Sequence, residues 1–325
     1  MKRVEHVDLL RAFGILLMVM GHVGFGPEFN HWIHIFHMPM FFVISGYFYK
    51  PQPFGTLLVK RFSTLLLPYL VFGLFHVGLY FVYTGGIDPH AFYLLFWENT
   101  AETGVPIAGA LWFLTAMFLS ELLFWGLQNL KLSLMPTTLI AAVIAVAGMV
   151  IAKYLPFRLP WAMDAALTGV GLYQIGRLLK EKGEKLLELN AAVAALGILL
   201  FSVLGCLNGY VNLREGTYGI WPLYWINVVG MTVSLWSFCK WIRDKAGKKG
   251  MALLQGIGRD SIVWLCLNQV VILSVKMAVG FLIKEPEGVA FYVLHFGIFL
   301  ASAAVLLILQ FVIMKTKLKV FVGKW

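Results

Sequence analysis

Three features of the chain predict an all-α integral membrane protein: a bundle of about ten transmembrane helices, N and C termini cytoplasmic, in a single domain over residues 1–325. First, 60% of the 325 residues are hydrophobic and the mean hydropathy is +0.82, far above the composition of soluble domains. Second, the apolar residues form runs long enough to cross a bilayer. Third, the basic residues lie between those runs and favour one side. Of the 26 Lys and Arg, only Lys153, Arg158, Arg214 and Lys284 fall in loops opposite the termini, while Arg11 and Lys276 lie within spans. That bias puts both termini in the cytoplasm.

Hydropathy places the spans at 4–24, 34–49, 62–83, 110–130, 134–152, 161–179, 191–210, 222–241, 261–283 and 290–314. The first follows Met1-Lys2-Arg3 as a secretory signal would. Glu5, Asp8, Arg11 and His22 interrupt it, however, and no small-residue cleavage site follows, so it reads as a retained span. In the second, Pro39 falls early, where its missing N–H costs least, and Ser45-Gly46 permits a close helix contact. The third and fourth are linked by the longest external loop, 84–109. It carries Trp97, Glu98, Asn99 and Glu102 and suits an amphipathic segment on the membrane surface. Lys131 to Ser133 make a tight turn between the fourth and fifth. After the seventh, GYVNLREGTYGIW (209–221) is rich in aromatics, amides and glycine, a composition that suits a sugar-binding surface or an ordinary interfacial loop. No internal repeat is evident, which disfavours an inverted-repeat transporter.

Charge and cysteine usage narrow the class further. The excess of 26 basic over 16 acidic residues lies in short loops rather than a binding stripe, so membrane lipid is the expected partner and no nucleic acid is. Cys206, Cys239 and Cys266 fall in apolar stretches without a C-x-x-C pair and read as free buried thiols.

Chemistry-bearing residues concentrate in the first two spans. Arg11 and His22 stand eleven positions apart, which on a helix is about 1100°, within about 20° of three turns, so both share one face roughly 16 Å apart. Ionisable groups at such depth face a bundle interior or a wet cavity and mark function. His31, His34 and His37 form H-x-x-H-x-x-H, but on one helix they fan over about 120° with no nearby carboxylate beyond Glu28. No metal is expected there. His76 and His295 read as satisfied core groups.

The segments VDLLRAFGILLMVMGH, with Arg11 and His22 in R-x10-H spacing, and FHMPMFFVISGYFY (36–49) resemble membrane-bound acyltransferase family 3. That group contains surface-carbohydrate O-acetyltransferases and fucose 4-O-acetylase-like proteins. KRFSTLLLPYLVFG from Lys60, ALWFLTAMF from Ala110, GYVNLREGTYGIWPLYWIN from Gly209 and IGRDSIVWLCLNQ from Ile257 extend the likeness over nearly the whole chain. The resemblance implies acetyl-CoA as cytoplasmic acyl donor, a carbohydrate acceptor hydroxyl at the outer half of the membrane, and a bacterial cytoplasmic membrane location. It also implies His22 as the catalytic histidine, with Arg11 and Arg61 supporting the donor. Family members often carry histidine in the ninth span where this chain has Asn268; the change removes a titratable proton, so Asn268→Ala is expected to keep appreciable activity.

The residue chemistry is compatible. Acyl transfer from a thioester to a hydroxyl needs a base, oxyanion donors and cations for the CoA phosphates. His22 and His37 are the candidate catalytic groups, Arg11, Lys60 and Arg61 the candidate donor-binding cations, and Trp112, Asn227 and Asn268 the candidate acceptor-binding residues. Bland readings stand beside these: snorkelling for Arg11, an interfacial position for His22, a hairpin-orienting hydrogen bond for His37, and the aromatic belt for Trp112. A transporter or flippase for a small polar molecule or lipid-linked sugar is the competing class, and a catalytically silent membrane partner a third.

Overall fold

A computed structural model describes residues 4–97, 108–283 and 286–325. The part of the 84–109 loop bearing Glu98, Asn99 and Glu102 lies outside the described residues, as does Lys284.

The chain begins with α1 (Glu5–Val23), closed by Gly24 at φ 92°, a left-handed position that suits glycine. α2 (Pro27–His34) and α3 (His37–Tyr47) follow. The second expected span is therefore two helices, divided where Phe36 leaves helical geometry at φ −141°. His31 and His34 belong to one piece and His37 opens the other.

α4 (Phe54–Arg61), a π-helical turn (Phe62–Leu66) and α5 (Leu67–Thr84) run on as one helical stretch from Phe54, eight residues before the expected start. Pro68 lacks an N–H for the ordinary ladder, and the preceding turn widens so that Leu67 N–H reaches Phe62 O. The described part of the following loop carries the short α6 (His90–Phe96).

A 3₁₀ turn (Gly109–Leu111) leads into α7 (Trp112–Asn129), then α8 (Leu134–Tyr154), α9 (Met163–Glu181) and α10 (Ala191–Leu207). Residues 209–221 form a small antiparallel hairpin, β1 (Val211–Asn212) against β2 (Thr217–Tyr218), with Val211 opposite Tyr218. α11 (Trp221–Gly250) breaks at Gly247. α12 (Ala252–Arg259), read as a loop from sequence, is followed by α13 (Ser261–Gly280) and α14 (Val289–Lys315).

By length and composition, six stretches among the described residues can cross a membrane: Glu5–Val23, Phe54–Thr84, Gly109–Asn129, Leu134–Tyr154, Ser261–Gly280 and Val289–Lys315. Two of the other expected spans are different in kind. α3 has eleven residues, about 16 Å of helix. α9 buries Asp164, Thr168 and Gln174, which find partners inside the bundle: Arg158 for Asp164 at 2.8 Å, the Tyr218 hydroxyl for Thr168 at 3.0 Å and Thr138 for Gln174 at 2.8 Å. Protein rather than lipid surrounds it, so it needs no lipid-like composition.

Glycines set the tightest crossings. A Cβ on Gly46 of α3 would lie 2.0 Å from Tyr173 O, and one on Gly176 of α9 2.1 Å from Val43 O, so the expected contact at Ser45-Gly46 is made with α9. Gly258 is tighter still: its Cβ would stand 1.7 Å from Asp8 O, which lets α12 press on α1. α1 packs against α3, α11, α12 and α13.

Candidate active site

His22 occupies the last turn of α1 and is held from α13. Its Nδ1 lies 2.5 Å from Asn268 Oδ1. The amide orientation is fixed independently, because Asn268 Nδ2 donates to Trp264 O at 3.1 Å and to Leu265 O at 2.7 Å. Asn268 thus turns only its oxygen toward the ring. His22 Nδ1 must be the protonated nitrogen, and neutral His22 carries its lone pair on Nε2.

The broken second hairpin limb supplies two more imidazoles. His34 Nδ1–H donates to Asn30 O and His37 Nδ1–H to Ile33 O, each at 2.6 Å. Carbonyl oxygens only accept, so these rings also present Nε2 as an acceptor when neutral. The turn at Ile35-Phe36 brings their centroids to 5.0 Å. His31 points elsewhere, its Nε2–H donating to Gly209 O at 2.6 Å.

The small hairpin closes the site. Arg158 reaches both Asp164 Oδ2, at 2.8 Å, and Arg214 O, at 2.6 Å, tying the hairpin to the start of α9. Asn208 accepts Ile220 N–H at 2.9 Å and donates to Tyr218 O at 3.2 Å. Seated this way, Arg214 is half-buried, and burial pushes its guanidinium down to about 10. His22, His34, His37, Trp112, Arg214 and Gln269 all line one cavity of about 250 Å³.

A family model described as an acyltransferase domain, that of acyltransferase family 3, matches residues 4–314. The chain belongs to acyltransferase family 3. No curated protein matches it, and no solved structure does. Together with the apolar helices, this makes it a multi-pass membrane acyltransferase.

Within this acyltransferase the sequence candidates separate. His22, His37 and Trp112 come together on the cavity; Trp112 is 6% exposed and belongs to the cavity wall rather than an aromatic belt. Asn268 is not among the lining residues: it stands behind His22 as its hydrogen-bond partner. Asn227 is wholly buried, its amide makes no hydrogen bond, and it does not reach the cavity.

The donor-binding candidates lie apart. Arg11 sits 3.6 Å from Asp8 and does not line the cavity. Arg61 is bound at 2.6 Å to Glu121, whose other oxygen accepts the Tyr173 hydroxyl at 3.1 Å, so a buried carboxylate already neutralises it. Lys60 is exposed beside a separate shallow cleft shared with Trp325. His76, expected to be satisfied, has neither ring nitrogen bonded, whereas His295 donates to Phe291 O at 2.9 Å.

Sequence reasoning passed over Arg214 as a site residue. A signal was present: Arg214 is one of few bases on the base-poor face and lies among amides, glycines and aromatics.

Proposed function

We propose that this acyltransferase moves an acetyl group from cytoplasmic acetyl-CoA to a hydroxyl of a cell-surface or lipid-linked carbohydrate. The reading places both termini in the cytoplasm and about ten helical segments in a bacterial cytoplasmic membrane. One observation carries it: His22 lines a cavity rich in hydrogen-bonding groups while its Nδ1 is committed to Asn268, which leaves Nε2 as the unprotonated nitrogen of the neutral ring. That nitrogen is the base that takes the acceptor's hydroxyl proton and returns it to the leaving thiolate.

A carbohydrate suits the lining. His34 and His37 offer Nε2 lone pairs, Asn30 Oδ1 is buried without a partner, and Glu215 adds carboxylate oxygens. Such acceptors match a ligand covered in O–H donors. Donor access comes from the other end of α1. Arg11 lies on the same face about 16 Å from His22, comparable to a pantetheine arm, so the thioester reaches His22 while the nucleotide stays near Arg11.

Purified protein incubated with labelled acetyl-CoA and a total envelope glycan and lipid extract tests this. The expected result is CoA release with labelling of the extract, both lost in His22→Ala. Absence of CoA binding, with a small polar solute or lipid-linked sugar crossing liposomes that hold the protein, would favour a transporter instead. Mass spectrometry of envelope glycans from cells with and without the protein identifies the acceptor.

A further inference from the structure

Lys276 takes no part in the site described above. It stands near the end of α13, a helix long and apolar enough to cross a membrane, and is half-buried. Among the described residues no carboxylate pairs with it and it makes no hydrogen bond. A cation placed in a span is costly unless something answers its charge, and such groups mark function.

The lysine faces a second cavity, of about 300 Å³, between α13 and α14. Val279, Ile283, Leu294 and Ile298 form apolar walls, and His295 joins Lys276 as the polar part. His295 gives its Nδ1 proton to Phe291 O at 2.9 Å, so the ammonium supplies the charge. Phe281, Leu282 and Val293, on the same two helices and the turn between them, are exposed, as residues that meet lipid would be.

This crevice adjoins the catalytic cavity. Lys276 Nζ approaches Gly24, which closes α1 two residues beyond His22, to 3.9 Å from where a Cβ would stand. Phe25 follows and meets His295 edge-on, ring centroids 6.3 Å apart. On α13, Gln269 lines the catalytic cavity and Lys276 the crevice. Seven positions make about 700°, within about 20° of two turns, so the two side chains share a face about 10 Å apart. A sugar can thus offer a hydroxyl to the cavity of His22 while the phosphate it is linked to rests beside Lys276. In the proposed orientation this is the outer half of the membrane.

An ammonium at the head of an apolar crevice suits a hydrophobic chain that ends in an anion. A free glycan would leave both the charge and the apolar walls unanswered, whereas a lipid phosphate meets both. Lysine binds phosphate as a point charge with three donors.

We propose that the α13–α14 crevice holds the phosphate of a lipid-linked carbohydrate acceptor, with Lys276 on the phosphate oxygens and the lipid chain along the exposed apolar flank. The assignment rests on the acyltransferase reading above and narrows its acceptor to the lipid-linked form.

The test supplies full-length protein in detergent with labelled acetyl-CoA and two acceptors. One is an envelope lipid extract; the other is the glycan freed from that extract by mild acid, which splits the sugar–phosphate bond. Wild type is expected to use the intact extract with a KM at least about tenfold lower than for the freed glycan. Lys276→Gln is expected to raise KM for the intact extract roughly 10–100-fold, the scale of one charge-assisted bond to phosphate, with kcat within about twofold of wild type. Lys276→Arg keeps the charge and stays near wild type. Ile298→Trp narrows the crevice without touching a charge; it is expected to raise the same KM and covers the case in which Lys276 variants do not fold. Equal use of intact and freed acceptor by wild type overturns the proposal. So does a KM for the extract that is unchanged in Lys276→Gln and Ile298→Trp. Activation by added phosphatidylglycerol that Lys276→Gln abolishes at unchanged KM for the extract also overturns it, by assigning the crevice to bulk phospholipid. Wild-type protein that releases no CoA, or releases it equally in His22→Ala, instead removes the acyltransferase reading itself.

Discussion

Asn268 accepts the Nδ1 proton of His22 across 2.5 Å and 246 positions of sequence. The two residues form a unit: α13 holds the amide by two carbonyls, and the amide holds the ring. Because Asn268 never exchanges a proton, its contribution is to select the tautomer and orientation of His22.

Replacing Asn268 by Ala removes that selection. Turnover is expected to fall by about 10²–10⁴-fold, as when an orienting group behind a catalytic histidine is lost, with acetyl-CoA affinity retained. Asn268→Asp supplies an acceptor again and is expected to keep more activity than the alanine variant. Parallel kinetics and CoA titration decide the matter. This reverses the sequence expectation that Asn268→Ala would be mild.

On the proposed function, Arg11 serves donor binding and His22 the chemistry. Arg11→Ala is expected to weaken acetyl-CoA binding by roughly 10–100-fold, the scale of one charge-assisted hydrogen bond. His22→Ala is expected to bind the donor almost normally and release no CoA. Isothermal titration of both variants checks the split; equal losses of affinity would count against it.

Arg158 joins a buried carboxylate to the hairpin. Arg158→Ala leaves Asp164 buried without its cation, and the expected cost is about 3–5 kcal/mol. Thermal unfolding in detergent measures it. Activity should fall further than stability alone explains, because Arg214 loses its anchor.

Gly258 has no room for a methyl group against Asp8 O. Gly258→Ala is expected to prise α12 from α1 at a cost of about 1–3 kcal/mol, read as a lowered melting temperature.

Asp260 carries a pH signature. Burial works to raise its carboxyl, but hydrogen bonds from Arg259 and Lys324 outweigh burial and hold it below the usual carboxylate range. A lowered folded-state value means the stability it contributes is full above the ordinary carboxylate pKa and is lost as pH falls through the lowered one. Melting temperatures scanned from neutral pH into the acid range should therefore decline less steeply for Asp260→Asn than for wild type.

Much of the scaffold was legible because long apolar runs have few alternatives. The helices beginning at Glu5, Trp112, Leu134, Ser261 and Val289 lie within a few residues of their expected limits. The α2–α3 break had one signal, Pro39, which has no N–H for Ile35 O and suits the first turn of a new helix, but a proline early in one continuous span reads the same way in sequence. α12 escaped because ALLQGIGR is too short and glycine-rich to look helical without α1 against it. At the site, His22, His37 and Trp112 declared themselves through depth and composition. The His22–Asn268 bond did not, since it depends on which distant helices meet.

The hairpin's seat has a practical consequence. Its position is dictated by Arg158 and Asn208, which lie outside it, and by Asp164 at the head of α9. Residues 209–221 are therefore not a portable cassette. Grafting them onto another scaffold, or exchanging them between homologues to retune selectivity, would misaim Arg214 unless those three anchors travelled along.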